Sequence, residues 1–124
     1  MEAKLEGETL KAGKARELIA TGGAQALDIR GRDEFAEGHI AGATNEPEEE
    51  LDSRLDELSS NDPVIVVCAD GKRSAEVAER LRGQGYEVAS VEGGMAAWSS
   101  DKLPLQPTED EEFEGPRRPG PLGA

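Results

Sequence analysis

The segment Val64-Ile65-Val66-Val67-Cys68-Ala69-Asp70-Gly71-Lys72-Arg73-Ser74 carries the residues best suited to chemistry. An uninterrupted β-branched run is what burial on both faces of a parallel sheet requires, so Val64–Cys68 reads as a central strand. Cys68, the single cysteine of the chain, then stands where that strand ends and the next helix begins, the edge at which open α/β sheets bind ligands. The intervening loop is short and contains Gly71, so its N–H groups can curl inward as an anion cradle, reinforced by the positive end of the helix dipole. Such surroundings favour a thiolate and would hold a negatively charged sulfur once one is attached to Cys68. Lys72 and Arg73 add positive charge, which favours an anionic substrate, and Asp70 works against both effects. Alone, a free cysteine is more often a small buried hydrophobe, and a basic pair at a helix start is more often solvent-exposed. The strand before it, the glycine after it and the adjacent cations together favour the reactive reading.

The elements that must position this thiol alternate between short apolar runs and helical ones, the arrangement of a parallel sheet covered by helices. Leu10 closes a short first strand. Ala12–Thr21 reads as a helix with Ala15, Leu18 and Ile19 at helical spacing, stopped by Gly22-Gly23. Ala26–Ile29 is the next strand, Arg32–Glu37 a brief helix and Ala43–Asn45 a short strand. Glu48–Leu58 reads as a helix with Leu51, Leu55 and Leu58 on one face. After the central strand, Ser74–Arg82 forms a helix with Val77, Ala78 and Leu81 inward, ended by Gly83 and Gly85. Tyr86–Val91 supplies the last strand, and Gly93-Gly94 begins a short helix through Trp98. The expected fold is α/β, a mostly parallel sheet of about five strands with helices on both faces.

A length of 124 residues suits one domain and one site. A hydrophobic fraction of 35% and a mean hydropathy of -0.62 are low, but the apolar residues cluster in blocks and predict a folded core. Beyond Leu103 lie five of the seven prolines and the acidic stretch Glu109–Glu114, so residues 1–103 read as the domain and 104–124 as a disordered tail. A net charge of -13, from 27 acidic against 14 basic residues, opposes nucleic acid and anionic membranes as partners. The N-terminus lacks the basic head and apolar run of a secretory signal, no run is long enough to span a bilayer, and one cysteine forms no internal disulfide. The expectation is a cytoplasmic protein. His39, the only histidine, has no second histidine or paired cysteine with which to hold a metal.

Cys68-x-x-Gly71-x-Arg73-Ser74 resembles the active-site loop of the rhodanese family. Asp28-Ile29-Arg30, followed by Glu34-Phe35 and by Gly38-His39-Ile40-Ala41-Gly42-Ala43-Thr44-Asn45, is similar to two further signatures of that family, and Gly93-Gly94-Met95-Ala96-Ala97-Trp98 to its C-terminal one. The likeness runs in order from Leu5 to Leu103, far more specific than any one motif. It implies a sulfurtransferase in which the Cys68 thiolate takes the outer sulfur of a donor such as thiosulfate and passes it to cyanide or a thiol. By the same carry-over, N–H groups from Ala69, Asp70, Gly71, Lys72, Arg73 and Ser74 hold the persulfide, while Arg73 and Lys72 hold the anionic donor. No metal or organic cofactor is implied. Asp28, Arg30 and His39 stand as supports behind the loop. Asp70, beside the thiol, would make thiosulfate a poor substrate and leaves a persulfide-carrying protein or small molecule as donor. Two rivals remain: a phosphatase or arsenate reductase of the related cell-cycle phosphatase type, where five residues instead of four separate cysteine and arginine, and a non-catalytic rhodanese-fold binding module.

Overall fold

The computed structural model describes residues 5, 8–58 and 61–106, with residues 56 and 57 as backbone only. Five parallel strands, β1 (Thr9–Leu10), β2 (Gln25–Asp28), β3 (Thr44–Asn45), β4 (Val64–Val67) and β5 (Val88–Val91), form one sheet in the order β1-β5-β4-β2-β3. The Val-Ile-Val-Val run is the middle strand, as its composition requires, and every residue of it is fully buried. Its register sets Val67 beside Asp28 on β2, while Val66 faces Ser90 on β5.

Alternation along the sheet divides the core into two layers. Ile65 and Val67 point to one face with Ala89 and Val91, where they meet Ala12 and Ala15 of α1 (Ala12–Ala20) and Met95 and Trp98 of α4 (Gly94–Ser100). Val64, Val66 and Cys68 point to the other, with Leu27 and Ile29, against Val77, Ala78 and Leu81 of α3 (Lys72–Gly83) and against Leu51 and Leu58. Cys68 therefore belongs to the α3 face. A fourth α-helix, α2 (Arg32–Glu37), follows β2 directly and buries none of its residues.

Glu48–Glu57 is not the regular amphipathic α-helix that leucine spacing predicts. It is a 3₁₀ segment broken at Arg54, whose φ of -127° and ψ of 17° leave the helical region. The break coincides with a constraint from below: Glu46 is buried, and its Oε1 accepts from Arg54 Nη1 at 3.2 Å. Burying a carboxylate without a partner is costly, so the chain bends to bring the arginine over it.

The boundary placed after Leu103 also moves. Trp98 Nε1 donates to the Pro104 carbonyl at 3.0 Å, Leu105 packs on the α1–α4 layer, and Gln106 pairs antiparallel with His39. Residues 104–106 thus belong to the domain, because the buried indole N–H needs their backbone. Residues 107–124, the rest of the expected tail, lie outside the described residues. Among the described residues no helix is long and apolar enough to cross a membrane.

Ile65 is fully buried between both neighbouring strands and the α1–α4 layer. Ile65→Ala is expected to destabilise the domain by about 2–5 kcal/mol, read as a lower urea midpoint with an unchanged slope.

Candidate active site

The site lies at the carboxyl edge of the sheet, where β4 hands over to α3. Gly71 caps that helix at φ 92°, a left-handed conformation that favours glycine. A Cβ there would stand 3.0 Å from the Gly93 nitrogen and 3.2 Å from the Val91 carbonyl. The turn sends two N–H groups back to the sulfur: Gly71 N is 3.1 Å and Ser74 N 3.3 Å from Cys68 Sγ. The Ser74 hydroxyl is 3.4 Å from the sulfur and donates to the Gly71 carbonyl at 3.2 Å. Ser74 is fully buried, so the loop and the first turn of α3 are fastened together out of water.

The opposite side of the loop is held by α4. Met95 N donates to the Cys68 carbonyl at 2.8 Å and Ala96 N to the Ala69 carbonyl at 3.0 Å. These two bonds fix the first two carbonyls of the loop, upstream of the Gly71 and Ser74 amides that face the sulfur. The approach is close because Gly94 has no side chain: a Cβ would sit 2.4 Å from the Cys68 carbonyl oxygen and 2.7 Å from the Gly71 nitrogen. The Gly93-Gly94-Met95-Ala96 stretch, expected from the sequence as the start of a short helix and as part of a family signature, is thus the clamp behind the loop.

Of the six loop amides, those of Gly71 and Ser74 contact the sulfur. The Lys72 N–H goes to Asp70 Oδ1 at 3.0 Å, a short turn in which the carboxylate takes a donor the cradle was expected to use. This bond, foremost, holds the Asp70 carboxyl below its ordinary range, with the Lys72 charge adding to it. Its Oδ1 is 3.8 Å from Cys68 Sγ, so an ionised sulfur and Asp70 oppose each other. Arg73 is likewise engaged. Its Nε donates to Glu48 Oε1 at 2.7 Å, and that bond is the main reason the guanidinium is driven above its ordinary value.

Ile29, Arg30, Glu34, Cys68, Ala69, Asp70 and Arg73 line a cavity of about 130 Å³. Cys68 is only 4% exposed, so access to its sulfur runs through this opening. The wall opposite the loop is built on Asp28, which is fully buried. Arg30 Nε lies 3.0 Å from Asp28 Oδ1 and 3.1 Å from Oδ2, and Nη2 lies 2.8 Å from Oδ2, a forked pair that fixes the guanidinium plane. Asp28 Oδ1 also accepts the Arg30 N–H, and Asn45 Nδ2 donates to the Asp28 and Arg30 carbonyls at 3.0 Å each. These bonds set the turn that carries Ile29 and Arg30 to the cavity.

His39 stands apart. Its ring stacks on Phe35 with centroids 3.9 Å apart, its Nδ1 lies 2.8 Å from the Phe35 carbonyl, and it does not line the cavity. Its neighbour links to the site: Arg30 Nη2 donates to the Gly38 carbonyl at 2.7 Å. Glu48 is the residue that sequence reading missed. It lies 25 residues from Arg73, and no spacing rule announces a partner across two elements. Among the described residues no group of three or more His, Cys, Asp or Glu side chains converges as a metal site.

A model of the Rhodanese-like domain matches residues 11–101. The chain is 37% identical over 94 residues to the thiosulfate sulfurtransferase GlpE of Actinobacillus pleuropneumoniae serotype 3, covering 75% of this chain and 87% of that one. It is 35% identical over 74 residues to the putative sulfur carrier protein YrkF of Bacillus subtilis, covering 59% of this chain and 40% of that one. It spans 60% of the length of a second Bacillus subtilis relative, the uncharacterised YqhL. Among solved structures, the rhodanese-related protein of Thermoplasma volcanium superposes with a TM-score of 0.75 at 31% identity, over 80% of this chain and 97% of that one.

The clamp makes a local prediction. Gly94→Ala is expected to destabilise the protein by about 1–3 kcal/mol through strain and overpacking. Gly83→Ala, where an added Cβ meets nothing within 4 Å, is expected to change stability by less than about 0.5 kcal/mol. Urea denaturation of both variants reads the difference.

Proposed function

This chain belongs to the rhodanese-like domain family, and we propose that it is a sulfurtransferase that carries sulfane sulfur as a persulfide on Cys68. The observation that carries the reading is the convergence of the Gly71 and Ser74 N–H groups on one sulfur at the wall of a small cavity. Two fixed donors next to a sulfur anion stabilise it without reorganisation when the charge forms. Relatives named as a thiosulfate sulfurtransferase and as a putative sulfur carrier support the same chemistry.

The reaction is covalent catalysis in two displacements. The Cys68 thiolate attacks the outer sulfur of the donor, a new S–S bond forms at Cys68, and the donor's own bond to that sulfur breaks. With thiosulfate the leaving group is sulfite. An acceptor nucleophile then attacks the outer sulfur of the Cys68 persulfide, which releases the thiolate and yields thiocyanate from cyanide or a new persulfide from a thiol. Charge and electrons balance in each step, and the chain ends as it began. No cofactor enters.

In this reading the Gly71 and Ser74 amides hold the sulfur next to the protein. Among the described residues the Ala69 and Arg73 amides have no protein acceptor, so they remain for the outer sulfur. The Lys72 amide serves through Asp70, shaping the loop. Arg30 and Arg73 border the space the donor occupies. A phosphatase would need a wider ring of free donors and an unengaged arginine. Here one amide and the arginine are both taken by carboxylates.

Incubation with thiosulfate followed by intact-protein mass spectrometry is expected to add one sulfur atom to the wild type and none to Cys68→Ser. Release of phosphate from an aryl phosphate, with no sulfur gained, would overturn the reading in favour of the phosphatase.

A further inference from the structure

Four charged residues line the cavity, Arg30, Glu34, Asp70 and Arg73, and neither arginine is free. Arg30 is forked onto Asp28 and also donates to the Gly38 carbonyl. Arg73 is bonded to Glu48 at 2.7 Å and feels Glu49 as well. Glu34 makes no ion pair among the described residues, and its Oε1 accepts only the Gly31 N–H. Lys72, the remaining nearby cation, acts on Asp70. Three cations therefore face the five carboxylates Asp28, Glu34, Glu48, Glu49 and Asp70. Outward from Arg73 lies a shallow depression of about 430 Å³ bordered by Glu48, Glu49 and Asp52 and by Arg73 and Arg80, with Arg80 paired to Asp52.

Resting on the persulfide reading above, we propose that Glu48 sets donor choice: by holding Arg73 it makes the site favour the persulfide of a small thiol over dianionic thiosulfate. To use Arg73, a dianion must displace Glu48 from a short charge-assisted bond, then sit beside Asp70 and Glu34. A small carrier with an ammonium group and no acidic head meets attraction from those same carboxylates. The cavity of about 130 Å³ admits a carrier of a few heavy atoms.

The loading step is balanced. The Cys68 thiolate attacks the outer sulfur of R–S–SH, the carrier's S–S bond breaks and its electron pair leaves with R–S. The proton on the transferred sulfur passes to that thiolate, giving R–SH and the Cys68 persulfide anion. Glu48 touches neither partner; it is a positioning residue that acts through Arg73.

The test is the second-order rate of Cys68 sulfur loading by thiosulfate and by cysteamine persulfide, followed by mass spectrometry. Glu48→Gln is expected to raise the ratio of thiosulfate to cysteamine persulfide rates about threefold, the gain of freeing one solvent-screened charge pair, through a lower KM for thiosulfate. Adding Arg73→Gln to Glu48→Gln is expected to return the ratio to the wild-type value, which a purely structural role for Glu48 would not do. An unchanged or lowered ratio in Glu48→Gln, with both donors loading the wild type, overturns the proposal. Loading of the wild type by neither donor would end the persulfide reading itself.

Discussion

The constraint on which the rest of this structure depends is where two carbonyl groups point. A loop that must aim N–H groups at a sulfur has to aim its C=O groups elsewhere, and a buried carbonyl needs a donor. Met95 N and Ala96 N supply the donors for Cys68 and Ala69. That contact demands an approach of α4 so close that residue 94 has no room for a Cβ. The glycine at 71 turns the chain on the other side. Sheet, clamp and cradle meet at one place: β4 delivers the thiol, α4 fixes the first two carbonyls of the loop, and the amides of Gly71 and Ser74 face the sulfur at the start of α3.

Electrostatics gives the site a character of its own. Most of the charge near Cys68 is already matched inside the protein: Arg30 by Asp28, Arg73 by Glu48, the Lys72 amide by Asp70. Such pairs contribute little to stability where exposed, since solvent screens them. Their effect is on what the cavity attracts. The Asp28–Arg30 pair differs, because Asp28 is fully buried and its forked, hydrogen-bonded partner holds it at a defined place. It gives the wall opposite the loop its rigidity.

Much of this was legible in the residues. The strand Val64–Val67 announces itself because burial on both faces leaves no polar position. The helix Arg32–Glu37 was read with its observed bounds, and α3 begins only two residues before the predicted start, since the loop's Lys72 and Arg73 already have helical geometry. Leucine spacing places a helix at Glu48–Glu57 but reports only which face is buried, so neither its 3₁₀ form nor its break at Arg54 can be read from it. It carries no trace of Glu46, a buried carboxylate two residues upstream that draws Arg54 out of register. The loop thiol, its glycine and its serine were found because they lie within seven residues of one another. The Asp70 bond to the Lys72 amide and the Glu48 hold on Arg73 were not, since the first depends on side-chain rotamer and the second on how two elements meet.

The measurement that bears most directly on the inward-facing amides is the amide proton and nitrogen spectrum of the labelled protein before and after one sulfane sulfur is loaded. The Gly71 and Ser74 resonances are expected to move as their acceptor changes from thiol to persulfide, and those of Ala69 and Arg73 as they gain the outer sulfur, while those of Met95 and Ala96, bonded to carbonyls behind the loop, stay in place. Loading that leaves Gly71 and Ser74 unmoved would contradict this account.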